Sequence, residues 1–405
     1  MMQARVVMVI VLAACGGAPL AAASIRDAGA RFDLHAEATP LFRAKWLQDR
    51  RHILQSFAFD DVGGHVYLLQ VEGSNAAGTF AEHSRRGDLI LTKLTLAGAT
   101  IAGHMVLRGF GHGVAMGVER DGDEVHLWTE VDSEPNAAGV GRGTKIGRFR
   151  FVDGATLDTA SREIRKFSPA PGAQVCTPSV DLAHGRIAVR YVSAEGEWRV
   201  ALYDLSAFKA GDARPLREIS LRHRFGTLQG WCTFGEWLYV YAGTAYGDDN
   251  PPPGNATLFA IDWRTGDVVG TAQTHALADL VFREPEGLAV QIAAGRPRLC
   301  FGFGHSVSAT NSRRQASIVY LDRVVSEKEP QLTGFVRPPD ATKPAMFWWW
   351  FNSHVSRAGI TPDWRSFARK ESAGGFTSTD VPVKDDARLL PSGLLGPVTI
   401  LVSAR

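Results

Sequence analysis

Apolar and polar positions alternate with a period of two through Gln55-Ser56-Phe57-Ala58-Phe59 and again through His65-Val66-Tyr67-Leu68-Leu69. Between them stands Asp60-Asp61-Val62-Gly63-Gly64, a set of turn formers. The pattern predicts an innermost strand, a tight turn and a second strand. It recurs four more times. His112-Gly113-Val114 leads to Val125-His126-Leu127, Cys176-Thr177-Pro178 to Ile187-Ala188-Val189, Gln229-Gly230-Trp231 to Leu238-Tyr239-Val240, and Glu286-Gly287-Leu288 to Leu299-Cys300-Phe301. The openings at 55, 112, 176, 229 and 286 are 57, 64, 53 and 57 residues apart.

A third strand follows each hairpin, at Leu89–Leu94, Lys145–Phe149, Trp198–Tyr203, Thr257–Ile261 and Ser317–Leu321. Five units of about four strands at a near-constant period predict an all-β, five-bladed β-propeller. One blade cannot bury both faces alone; stacking blades around an axis does so and leaves only short edges. A β-sandwich is the alternative that the same alternation permits. The 42 glycines and 20 prolines suit a turn-rich β protein. The loop Asp248–Asn255 carries three prolines, so it projects from blade four instead of entering a sheet.

The ends read differently. Arg5 precedes an apolar run from Val6 to Ala14, and Ala21-Ala22-Ala23 offers a small-residue cleavage site, so residues 1–23 read as an export signal. Leu12-Ala13-Ala14-Cys15 reads equally as a lipoprotein box with Cys15 as the lipidated residue. Both readings place the mature protein outside the cytoplasmic membrane, secreted, periplasmic or lipid-anchored, with no membrane association beyond an anchor at Cys15. The propeller then spans 24–327, where Arg31–Leu34 reads as a strand and Pro40–Leu47 as a short helix or turn that could close the last blade. Residues 328–340 are a polar, proline-ended linker. Residues 341–405 hold an aromatic run, a Thr361-Pro362 helix start and a further strand, a short incomplete α/β tail.

Composition narrows the chemistry. A net charge of +2 gives no basic stripe for nucleic acid. Cys15, Cys176, Cys232 and Cys300 form no Cys-x-x-Cys pair, which argues for neither a zinc site nor a disulfide framework. No phosphate loop, His-Glu-x-x-His or Ser-His-Asp order stands out, and no cofactor or metal is expected. The repeat places Gln55, His112, Cys176, Gln229 and Glu286 at equivalent strand openings, around one mouth of the central channel. Arg283 and Glu284 add charge at the same rim, and Tyr246 beside the proline loop offers a stacking surface for a sugar. The ligand-binding set is therefore Gln55, His112, Gln229, Arg283, Glu286 and Tyr246. Glu284 with Glu286, and Glu130 with Asp132, are same-face carboxylate pairs by spacing. Arg85-Arg86 and Arg313-Arg314 are short basic pairs suited to a solvated loop or an anionic polymer.

The motifs Gln55–Leu69, Gly109-Phe110-Gly111-His112-Gly113, Leu127-Trp128-Thr129-Glu130-Val131, Gly243-Thr244-Ala245-Tyr246, Pro253-Gly254-Asn255 and Phe282–Gly287 keep a definite order. As a set they resemble the propeller shared by staphylococcal phage receptor-binding proteins and TagC-like secreted proteins, over about residues 31–325. The resemblance implies five blades and, from the phage members, recognition of wall teichoic acid, a phosphate-rich glycopolymer. It carries no catalytic residue over. Residues from Pro338 to about Val398, with Trp348-Trp349-Trp350-Phe351-Asn352, Gly359-Ile360-Thr361, Gly374-Gly375-Phe376 and Asp380-Val381, resemble the opening of the catalytic barrel of rhamnosidase-type glycoside hydrolases, without the region that would hold its acid and base. The expectation is an exported propeller that binds an extracellular glycan or cell-wall glycopolymer without turnover. The alternative is a hydrolase or lyase acting on extracellular polysaccharide with His112 and Glu286 across the channel, or the remnant of a rhamnosidase-like fusion.

Overall fold

In the computed structural model, residues 29–221 and 225–325 are described. The signal segment at 1–23, the linker at 328–340 and the tail at 341–405 lie outside them. The described chain forms five four-stranded antiparallel units around a channel, each starting with its innermost strand. The innermost strands are Leu54–Asp60, Gly117–Asp121, Gln174–Asp181, Leu228–Phe234 and Val281–Ala293. The hairpin partners and third strands fall where the alternation predicts them.

The burial pattern explains why alternation is nearly lost in the second strands. All six residues of Trp237–Ala242 are buried. Trp237, Tyr239 and Tyr241 pack toward blade five, while Leu238 and Val240 pack toward blade three. Both faces of a blade are thus apolar, each matched to a different neighbour. Five hydrophobic clusters result, one at each blade interface. Trp128, Trp231, Trp237 and Trp263 are buried in these clusters, whereas Trp198 is exposed. Cys176, Cys232 and Cys300 are buried free thiols.

Three features depart from the sequence reading. Pro40–Leu47 is neither helix nor turn: Thr39–Lys45 is a strand that pairs with Asn311–Leu321 and completes blade five from the opposite end of the chain. Pro40 is tolerated because the strand is outermost. Arg31–Phe32 adds a second tie by pairing with Val324–Val325. Thr156–Asp158, from the blade-two segment, joins blade one as a parallel fifth strand beside Ile101–Arg108. Finally, the loop between the second and third strands of blade one carries an unforeseen helix, Phe80–Arg86, with a Thr79/Glu82 capping box.

Candidate functional site

One end of the channel opens into a cavity of about 260 Å³. Its lining comes from four blades: Ile53 and Gln55, His112 and Val114 with Arg142, Thr227 to Gln229, and Glu284 with Glu286. Four of the six expected binding residues, Gln55, His112, Gln229 and Glu286, meet there.

His112 does not open an innermost strand. The blade-two strand begins five residues later, at Gly117, and His112 sits in a loop whose Gly109 and Gly113 have φ of 74° and 81°. That loop is pinned by Glu130, which is fully buried. One carboxylate oxygen accepts the Gly113 amide at 2.6 Å and the other accepts the Gly143 amide at 2.6 Å. A Cβ on Gly111 would overlap the Glu130 carboxylate, and one on Gly143 would lie 2.5 Å from the Glu130 Cβ. Gly111-His112-Gly113, in a loop, and Gly141-Arg142-Gly143, opening the third strand of blade two, are therefore two glycine-flanked segments held on one carboxylate, and each delivers its middle side chain to the cavity. Glu130 is a positioning residue, which its placement beside Asp132 by spacing did not reveal. Asp132 instead pairs with Lys145 and Lys166.

The cavity is electrically divided. Burial and the charge of Arg142 lower His112 to about 3, so the imidazole is neutral, and its Nδ1 has no hydrogen-bond partner among the described residues. Arg142 has no ion pair there either. Burial, with the field of Arg142, lowers Arg190 to about 9. On the opposite wall, burial and the charge of Glu284 push Glu286 well above the usual carboxylate range, and burial raises Glu284. Gln55 Nε2 donates to Glu286 at 3.3 Å, and Gln229 Nε2 donates to Glu284 at 3.4 Å, which tempers the rise of Glu284. Pro285 does not break this strand, because an innermost strand has no ladder partner on its channel side. The mouth thus offers amide donors and acceptors, carboxyls, a neutral imidazole and a guanidinium, a set that matches a hydroxyl-rich ligand with an anionic substituent.

The other predicted positions lie elsewhere. Arg283 is not at the rim: it is 1% exposed, its guanidinium donates to the carbonyls of Ala276 and Thr274 at 2.9 and 3.0 Å, and it stacks over Phe303. Phe282, at φ 70°, precedes this inward turn. Tyr246 is half-buried, with its hydroxyl on the carbonyls of Pro253 and Ala278. Cys176 leaves the expected ring for the blade interface, where burial pushes its thiol to about 12. Arg142 is the charged lining residue the repeat did not single out, although its Gly-x-Gly setting repeats that of His112.

A second polar cluster, Glu72, His83 and Asp88, is buried beneath the Phe80–Arg86 helix, its candidate ligand atoms within 4.8 Å of one another. Arg108 pairs with Glu72, and Arg86 with Asp88 at 2.9 Å. The cluster closes on itself as an ion-pair network.

Two outcomes are expected. Glu130→Gln leaves one of the two buried amides facing an NH2 group, and should lower unfolding free energy by about 2 kcal/mol in denaturant titrations; an unchanged midpoint contradicts the clamp. Because Glu286 is raised, the native state holds its proton above the unfolded value near 4.5, and stability falls as pH rises from there. The melting temperature of Glu286→Gln relative to wild type should therefore climb with pH above about 4.5. A difference that shrinks with pH would mean that the carboxylate is held charged.

Residues 53–316 match the family described as the phage 5-bladed β-propeller receptor-binding platform domain. A "Putative major teichoic acid biosynthesis protein C" from Bacillus subtilis (strain 168) is 28% identical over 246 residues, 58% of this chain and 52% of that protein. The tail fiber of Staphylococcus aureus phage P68 has the same fold at TM-score 0.55 and 18% identity, over 70% of this chain and 53% of that one. The chain spans about half the length of each. The chain belongs to the phage five-bladed β-propeller receptor-binding platform family.

Proposed function

We propose that the channel mouth binds an extracellular glycan or cell-wall glycopolymer and does not turn it over. The observation that carries this reading is the convergence of Gln55, His112, Arg142, Gln229, Glu284 and Glu286 from four blades on one polar cavity. Amides and carboxyls in fixed positions suit sugar or polyol hydroxyls, and Arg142 suits a phosphate or carboxylate. The family's receptor-binding role and a relative named for teichoic acid biosynthesis favour the same ligand class. Export of the mature protein is part of this proposal, since such polymers lie outside the cytoplasmic membrane.

A second reading has one specific support. Glu286, raised by burial, and the neutral imidazole of His112 face the same space, a proton donor opposite an unprotonated nitrogen. In that case the mouth is the active site of a hydrolase or lyase.

The full chain, titrated with wall teichoic acid and with rhamnose-containing oligosaccharides, should bind without releasing sugar. Gln229→Ala should weaken binding about tenfold, the loss of one hydrogen bond of about 1.4 kcal/mol. Sugar release that either His112→Ala or Glu286→Gln abolishes would overturn the binding-only reading and establish the second.

A further inference from the structure

The segment from Trp46 to Ile53 leaves the outermost strand of blade five and enters the innermost strand of blade one. It therefore crosses the mouth-bearing face radially, from the outer edge to the cavity that Ile53 and Gln55 line. Arginines crowd this crossing. Arg50 and Arg313 both lie over the Trp46 ring, at 5.1 and 5.3 Å from its centroid. The Arg314 amide donates to the Arg50 carbonyl at 2.7 Å, and its guanidinium stacks on Phe282 at 3.7 Å while donating to Ser306 Oγ. Arg51 donates to the Ser74 carbonyl at 2.8 Å.

Many other arginines in the described residues have a carboxylate partner, as Arg43, Arg86, Arg108, Arg120 and Arg148 do. None of these four has one within ion-pair distance among the described residues. Asp49, the nearest acidic residue in the segment, accepts the amides of Arg51 and Gly73 instead. Arg50, Arg51 and Arg313 are exposed, and Arg314, half-buried, feels the charge of Glu284 at the mouth. Three exposed guanidiniums without a carboxylate partner, and a fourth that only Glu284 faces, are held here by aromatic rings and carbonyls, an arrangement that favours an external anion. Trp46, with two guanidiniums over its ring, serves as their support and not as a sugar platform.

We propose that Arg50, Arg51, Arg313 and Arg314 form an anion track for the phosphodiester backbone of a glycopolymer whose end unit occupies the channel mouth. The inference rests on the binding reading of the mouth. It adds a polymer requirement: a single sugar fills the cavity, and a phosphate-linked chain also engages the track.

The test uses the full chain, poly(glycerol phosphate), a neutral rhamnose oligosaccharide and single-stranded DNA, with affinities measured across a salt series. Binding of poly(glycerol phosphate) should weaken linearly on logarithmic axes as salt rises. Arg50→Ser/Arg313→Ser should reduce that slope by about 1.4, at about 0.7 for each phosphate no longer neutralised, and leave the neutral oligosaccharide unaffected. Arg50→Lys/Arg313→Lys, which keeps the charge, should retain the slope and serves as the folding control. Gln229→Ala should weaken both ligands without altering the slope. An unchanged slope in the Ser variant overturns the track while leaving the mouth reading intact. Equal affinity for DNA overturns the choice of a glycopolymer. Failure of the neutral oligosaccharide to bind, with the polymer still bound, sinks the mouth reading instead.

Discussion

The structure depends on closing a ring. Each blade is apolar on both faces, so an open row of blades would leave two large faces wet, at a cost of roughly 25 cal/mol for every Å² of apolar surface exposed. Closure here is made by backbone pairing between opposite ends of the described chain: Thr39–Lys45 completes the sheet of Asn311–Leu321, and Phe42 enters the cluster between blades five and one. The same closure creates the crossing from Trp46 to Ile53, because a strand that ends at the outer edge of blade five must return to the axis. Ring closure and the arginine-bearing path to the mouth are thus two consequences of one topological choice.

Within the ring, the site is assembled by a buried carboxylate. Glu130 binds two backbone amides, one from the His112 loop and one from the start of the third strand of blade two, and its bulk leaves room only for glycine at Gly111 and Gly143. His112 and Arg142, each set between two glycines, line the cavity. The opposite wall is held differently: Glu284 and Glu286 lean on the amides of Gln229 and Gln55. Blades two and five, with blade one between them, therefore supply opposite electrical halves of one opening.

Much of the fold was legible in the sequence, because the hairpin signal repeats five times and each repeat keeps its turn formers. The strand character of the closing segment was not. Thr39–Lys45 lies at a sheet edge, where burial is intermittent and apolar alternation is weak, so Pro40 and the charges at Arg43 and Lys45 read as helix or turn. The site was partly legible: polar residues at repeat openings led to Gln55, Gln229 and Glu286. His112 reached the cavity by a different route, from a loop and not a strand start. Arg283 and Cys176 shared the rim pattern by sequence position, but local backbone twist turned Arg283 into the wall and strand register turned Cys176 into the blade interface. Arg142 stands near the start of a third strand, off the repeat altogether, and only the shared dependence on Glu130 brings it beside His112.

In the proposed function the ligand occupies this mouth and not the cavity of about 60 Å³ lined by Asp61, Leu182, Phe234 and Ile292. Hydrogen–deuterium exchange of the full chain, with and without wall teichoic acid, tests that placement directly. Binding at the mouth predicts slowed exchange at residues 109–114, 227–229 and 281–287, with the lining of the other cavity unchanged. Protection confined to 61–64 and 182–185, or protection nowhere in the propeller, would contradict it.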